Sequence, residues 1–413
     1  MKPQSGIPAT VFRLLAAAAF AMTLTPARAQ TADDQPPPPR ETEQPAEKKI
    51  APSYGPQTLR ATQEAAQRYA DIAASGGWPH VAKSGPETHG KPVVELRRRL
   101  AIEGYLPRDP SDDPQWDADL TDALKRFQAN MGLEQTGELS RETLRELNVP
   151  AAARARALAA TASRLAKTRF RFGDRYVSVN IPASSVEAVE NDEALGRYDA
   201  IVGGKRHHSP QITAKIVSVD VNPTWTVPAS IIRKELMPKL KRNPHALAQQ
   251  HIRVLDGRGH EIDPSKLRKF SAGRAASFTF RQDPGPKNSL GSLRLDMPNK
   301  DAVYMHDTPQ KNLFDRDYRF LSHGCVRVEG VYDLAAWLLD QNERGWNEGS
   351  LRDEVAEGRT EKIKLLRPTP VAWVYMTGWA MEGGPAHFRR DVYNLDKGAK
   401  LPPHRREGGF ASR

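Results

Sequence analysis

Val303 to Glu329 reads VYMHDTPQKNLFDRDYRFLSHGCVRVE and holds Cys325, the one cysteine in the chain. His306 closes a short strand-forming run. The loop after it carries Phe314, Tyr318 and Phe320, apolar enough to return the chain to the same sheet edge. A free thiol titrates near about 8.5, so Cys325 needs a base or a positive neighbour to react as a thiolate at neutral pH. Both histidines of the stretch answer that need. His323 lies two residues before Cys325, which in a strand puts both side chains on one face. Gly324 permits tight backbone approach, and the amides around Gly324 and Cys325 can form an oxyanion hole for a tetrahedral intermediate.

Working outward, the count of one cysteine becomes informative because of the N-terminus. Lys2 and Arg13 form a positive region, Leu14 to Leu24 an apolar run, and Ala27-Arg28-Ala29 a cleavage site, which predicts a signal peptide over residues 1–29. An uncleaved anchor is the competing reading, but the apolar run is shorter than the roughly 20 residues a spanning helix needs. No second apolar stretch of that length follows, so the mature protein is expected to lack a transmembrane segment and to be exported to the periplasm. Exported chains normally use cysteines in pairs, so a lone thiol reads as an intermolecular bridge, an inert buried residue or a reactive group. The net charge of +11 comes without a nucleic-acid motif, so nucleic acid is not the expected partner. A basic exported chain suits an anionic envelope polymer, or simply has solvated basic faces.

Composition divides the rest. Residues 30–55, with Pro36 to Pro39 and mixed charges, predict a disordered tether. Residues 56–89 contain a scaffold helix from Gln57 to Ile72. Between 90 and 150, helical spacing recurs in Val93, Leu96 and Leu100, then in Leu120, Leu124 and Phe127, then in Leu144 and Leu147; the breaks are Gly104, Pro107, Gly132 and Gly137. Residues 151–175 form a connecting helix. From Tyr176 the texture turns to short β-branched runs bounded by Gly, Pro and Asn, which predicts a mainly β domain over 176–397. Ile231 to about Gly273 reads as a basic insertion, helical and then loop-like. Val331 to Leu339 reads as a helix, and 398–413 as a flexible tail. The expected fold class is multidomain α+β: a small three-helix domain and a predominantly β domain bearing an inserted helical cap.

His306, a gap, then Ser322-His323-Gly324-Cys325 resembles the signature of the L,D-transpeptidase (YkuD) catalytic domain. Further segments are similar in the same order: NPTWTVPASI at Asn222 to Ile231, PGPKNSLG at Pro284 to Gly291, and YMHDTP at Tyr304 to Pro309. The stretch ALKRFQANMGLEQTGEL resembles a peptidoglycan-binding domain. Together they resemble the YcbB-like branch of the family over roughly residues 57–397. The resemblance implies Cys325 as nucleophile, His306 as general base and a supporting role for His323. It places Tyr304 and Trp225 near the substrate pocket, with Arg327, Ser322 and Asn222 as further expected site residues.

The implied reaction joins two peptidoglycan stem tetrapeptides, donor and acceptor, into a 3-3 crosslink through a thioester on Cys325. It needs no cofactor and no metal, and it implies acylation by β-lactams of the carbapenem type. Three rivals stand beside it. His306, His323 and Cys325 are all possible zinc ligands, although no H-E-x-x-H or C-x-x-C spacing accompanies them. Water can replace the acceptor amine, giving L,D-carboxypeptidase or endopeptidase activity. A non-catalytic peptidoglycan-binding protein is the third. His207-His208, beside Gly203-Gly204, reads as an exposed loop of solvated histidines.

Overall fold

The computed structural model describes residues 50–107 and 113–402. The expected signal peptide, most of the tether and residues 403–413 of the expected tail lie outside the described residues.

The helical part obeys its periodicity. The helices are α1 (Thr58–Ala74), α2 (Lys91–Ile102), α3 (Ala118–Met131), α4 (Arg141–Leu147) and α5 (Ala151–Leu165). Asp117 and Ser140 cap α3 and α4, accepting from the amides of Leu120 and Thr143. The apolar faces meet in one core containing Leu96, Leu100, Leu124, Phe127 and Leu158, closed by Phe388 from the far end of the chain. A buried polar chain runs through it. Tyr69 Oη donates to Glu103 at 2.7 Å, Glu103 pairs with Arg99, Arg99 Nε donates to the Leu147 carbonyl at 2.8 Å, and the Arg99 guanidinium lies 3.7 Å from the Trp78 ring centroid. Arg99 and Glu103 are fully shielded from water, so these bonds tie α1, α2 and α4 together.

The β domain begins with β1 (Arg175–Asn180), β2 (Ser185–Glu190), β3 (Glu193–Gly203) and β4 (Ile212–Val221). After an insertion that carries four short strands of its own, β5 (Trp225–Thr226), β6 (Ile252–Leu255), β7 (Glu261–Ile262) and β8 (Thr279–Gln282), it continues with β9 (Leu293–Asp296), β10 (Met305–His306), β11 (Phe320–Ser322), β12 (Val326–Val328) and the long β13 (Glu361–Val374). Nine strands share one sheet, in the order β11-β3-β12-β10-β9-β4-β13-β1-β2. β3 is long enough to pair with β2 along its first half and with β12 and β11 along its second, so the sheet closes on itself. Alternation then sends Val202, Val219, Leu295, Met305, Val326 and Val371 into a shared core, under the helix Val331–Leu339.

The insertion is helical at its start, with α6 (Ala229–Ile231), a π-helical turn (Ile232–Leu236) and α7 (Met237–Arg242), as the spacing of Ile232, Leu236 and Leu240 predicts. The part read as loop-like contains more order than expected. β5 (Trp225–Thr226), β6 (Ile252–Leu255), β7 (Glu261–Ile262) and β8 (Thr279–Gln282) form a four-stranded sheet, with α8 (Ala272–Ala275) between β7 and β8. The sheet and helices enclose their own core of Val227, Leu240, Val254, Leu267 and Phe280. The inserted unit therefore reaches from Trp225 to Gln282, beyond the expected 231–273 on both sides. The strands are too short to stand out in sequence, and they are held by pairing with one another. The remaining elements are α9 (Val331–Leu339), α10 (Glu348–Ala356) and the strand pair β14 (Gly378–Trp379) and β15 (His387–Phe388).

Candidate active site

Register assembles the site. Met305 pairs with Val326 and His306 with Arg327 across the parallel β10–β12 pair, and His306 faces Arg294 across β9. Met305 and Val326 point into the core, so Tyr304, His306 and Arg327 take the opposite face. Cys325 sits one residue before β12, beside Tyr304. That face also carries an ionic lattice. Arg294 pairs with Asp220 on β4, while Lys362 on β13 lies 2.9 Å from Asp296 and 3.8 Å from Asp220. The Arg294 guanidinium lies 5.3 Å from the Tyr304 ring centroid, and the Tyr304 and His306 rings meet edge to face at 5.7 Å.

Cys325 is not in a strand. His323, Gly324 and Cys325 form a bend between β11 and β12, and Gly324 has φ +118°, where other residues are strained. The bend removes the alternation that would have set His323 and Cys325 on one strand face. It is held from inside: Ser322 Oγ donates to the Cys325 carbonyl at 2.5 Å and accepts from the Gly324 amide at 3.1 Å. Ser209 Oγ donates to the Gly324 carbonyl at 2.7 Å from the neighbouring loop. The Gly324 amide is thus already bonded, and an oxyanion would have to displace Ser322 to use it.

The resting charges are those of a neutral pair. Burial pushes the Cys325 thiol up to about 11, against the opposing effects of the Tyr304 amide and of Arg327 and Arg294. Burial, and after it the Arg327 charge, lowers His306 to about 4 against the opposing carbonyls of Asp307 and Leu290 and the Asp307 carboxylate. His306 Nδ1 lies 2.5 Å from the Asp307 carbonyl. A carbonyl only accepts, so Nδ1 bears the proton and Nε2 keeps its lone pair as a base.

With this geometry in place, the comparisons are direct. The family model described as "L,D-transpeptidase catalytic domain" (YkuD) matches residues 174–384, just over half of the 413-residue chain. The chain belongs to the YkuD L,D-transpeptidase catalytic domain family. A second model, "Putative peptidoglycan binding domain", matches residues 89–147, the stretch containing α2 to α4. A curated relative, "Putative L,D-transpeptidase" from Haemophilus influenzae, is 32% identical over 225 residues, which cover 54% of this chain and 45% of that protein. Similar solved structures include an L,D-transpeptidase from Mycobacterium smegmatis, at 14% identity and TM-score 0.25, covering 48% of this chain and 58% of that one. Another is the catalytic domain of an E. faecium L,D-transpeptidase acylated by ertapenem, at 10% identity and TM-score 0.22, covering 49% and 99%. At those scores the likeness carries no argument about this chain.

The inserted unit of the YkuD domain reaches the site at two points. Trp225 on β5 hydrogen-bonds the Tyr304 hydroxyl, which lies next to Cys325. Glu235, in the π-helical turn, pairs with His323 Nε2 at 2.7 Å. The His323 ring in turn meets the His207 ring in a tilted contact at 4.6 Å, so His207 is not simply solvated, whereas exposed His208 stacks on Tyr393 at 3.9 Å. Cys325, His306, Tyr304, Arg327, Trp225 and the Ser322–Gly324 bend are therefore brought together. Asn222 is differently engaged: its side-chain amide donates to the carbonyls of Val355 and Arg359 at 2.9 and 3.1 Å, tying β4 to the approach to β13.

Sequence reasoning missed Asp307, Arg294, Glu235 and Asn288. Asp307 was adjacent to His306 in the quoted stretch, which was the available signal. Asn288, buried in PGPKNSLG, donates to the carbonyls of Pro223 and Asp283 and so fastens the root of the insertion. Among the described residues, no group of three or more His, Cys, Asp or Glu is arranged to hold a metal ion. Among them too, no helix is long and apolar enough to cross a membrane.

Proposed function

We propose that this chain is an exported peptidoglycan L,D-transpeptidase that forms 3-3 crosslinks through a Cys325 thioester. The observation that carries the reading is the parallel β10–β12 register of a YkuD domain, which sets His306 beside Arg327 and Tyr304 beside Cys325 in the bend before β12, with Trp225 and Glu235 of the insertion meeting the same surface. The donor carbonyl is that of the third stem residue, at the L-centre of a diamino acid. Cys325 Sγ attacks it as the thiol proton passes to His306. A neutral thiol beside a neutral imidazole suits transfer during attack better than a standing ion pair.

The C–N bond to D-Ala then breaks, and His306 returns its proton to the leaving amine. The acceptor side-chain amine gives a proton to His306 and attacks the thioester; the C–S bond breaks and the departing Cys325 sulfur takes that proton back from His306, so no cofactor is consumed. The guanidiniums of Arg327 and Arg294 favour the charge that develops on sulfur. His323, held by Glu235, positions the bend. A β-lactam carbonyl offers the same electrophile, so carbapenems acylate Cys325 in this reading. Arg28 and its flanking alanines, with the apolar run before them, support export to the periplasm.

The test is incubation of purified protein with disaccharide tetrapeptide, read by mass spectrometry. Crosslinked dimer with loss of D-Ala supports the proposal. Tripeptide alone assigns hydrolysis instead, and unchanged tetrapeptide assigns a binding role.

A further inference from the structure

A cleft of about 950 Å³ opens where the C-terminal end of α3 faces β3 and the β14–β15 pair. It includes Glu329, four residues beyond Cys325, so at about 3.3 Å per residue their Cα atoms are at most roughly 13 Å apart. Three arginines, Arg197, Arg319 and Arg389, line it. Two already have partners: Arg197 pairs with Glu187 at 2.7 Å and Arg319 with Asp199 at 2.8 Å. Arg389 has no carboxylate within 4.0 Å among the described residues. It donates only to the backbone carbonyls of Asn130 and Phe388, at 2.8 and 2.7 Å. Burial, with Arg197 and Arg319 nearby, lowers it to about 10 against the opposing Glu146 carboxylate, and its guanidinium lies 5.3 Å from the Trp379 ring centroid.

A half-buried cation without an ion-pair partner leaves room in the cleft for an anion to complete it. The surroundings are shaped around this guanidinium. Gly132 ends α3 at φ +68°, and a Cβ there would lie 2.5 Å from Arg389 Cζ, so any larger residue would evict the arginine. His387, stacked on Trp379 at 5.1 Å, is lowered to about 4 by burial and then by Arg389 and Arg197. The ring therefore adds no second charge and leaves a neutral face beside the cation.

We propose that this cleft is a second ligand site, distinct from the Cys325 surface, that binds a free carboxylate of an acidic wall stem peptide through Arg389, with the nearby charge of Arg319 in support. Its position between the peptidoglycan-binding module and the catalytic sheet favours a ligand that belongs to the wall. That choice of ligand rests on the proposed function, while the anion preference rests on Arg389 itself. A carboxylate matches the planar fork of a guanidinium, and a half-buried position inside a cleft favours a small group over a flat macromolecular surface.

The experiment is calorimetric titration of the full chain carrying Cys325→Ala, which prevents turnover. The probes are disaccharide tetrapeptide and the same compound with every carboxylate amidated. Arg389→Gln and Arg319→Gln should each weaken binding of the acidic probe about tenfold or more. Arg389→Lys should recover part of the loss, and the amidated probe should bind weakly throughout. If Arg389→Gln is shown unfolded by circular dichroism, Arg319→Gln and Arg389→Lys carry the decision. Equal binding of the two probes, or affinities within twofold across the folded variants, overturns the site. Failure of the catalytic reading would be seen separately, as absence of crosslinked dimer from the unmodified chain.

Discussion

The resting protonation of Cys325 can be tested by alkylation with a small neutral reagent. A thiol held at about 11, against an ordinary 9.0, has about 100-fold less thiolate at pH 7.5. Greater basicity makes each thiolate more nucleophilic; with a Brønsted slope of about 0.4–0.5, two units return a factor of roughly 8. Iodoacetamide should therefore modify Cys325 about tenfold more slowly than an exposed cysteine at pH 7.5, before any steric slowing. The rate should climb about tenfold per pH unit and bend only towards pH 11. Intact-mass spectrometry over pH 6–11 follows the single thiol directly. His306→Ala should leave the slope unchanged, because a neutral imidazole does not hold a thiolate in place. The slope is the decisive quantity, since steric shielding alone scales all rates equally. A plateau below pH 8 would refute the reasoning, because it would reveal a standing thiolate–imidazolium pair that His306 at about 4 does not allow.

Three further expectations follow from the same structure. Cys325→Ala should abolish crosslinked dimer while leaving the fold intact, and His306→Ala should slow acylation by a factor on the order of 10² or more; stopped-flow acylation by a carbapenem, with circular dichroism as control, measures both. Glu103→Ala should cost about 3–5 kcal/mol, because it strands Arg99 without a counter-charge inside the helical core, and urea unfolding reads the loss; a cost below 1 kcal/mol would show that water or another group replaces the carboxylate. Stability should also fall with acid. His306 binds a proton below about 4 when folded but near 6.5 when unfolded, so the unfolded state takes up more protons in that window and about 3 kcal/mol is lost as pH drops from 6.5 to 4. Unfolding curves of the native chain and of His306→Gln should therefore converge towards pH 4, and parallel curves would contradict the assignment.

Much of this protein was legible without coordinates. Local patterns carried it: the single cysteine within SHGC, His306 at the end of a strand-forming run, and the helical spacing of α1 to α5 and α9. Each depends on a few neighbouring residues, whose periodicity or chemistry survives in the linear order. The β-rich texture after Tyr176 was equally local, because β-branched runs between turn residues mark strands whatever they pair with.

What tertiary structure decided is what depends on distant partners. No pattern in Tyr304 to His306 reveals that this short strand lies parallel to β12, yet that register puts His306 beside Arg327 and Tyr304 beside Cys325. The strands inside the insertion were read as loop because two to four residues carry little signal until a partner strand supplies their hydrogen bonds. The positive φ at Gly324 turned an expected strand face into a bend held by Ser322 and Ser209. The charges were hidden for the same reason. Arg389 reads in sequence as one more surface cation, and Cys325 as a thiol activated by nearby histidines. Packing is a property of the whole chain, and it sets Arg389 in a cleft without an ion-pair partner while returning the proton to Cys325.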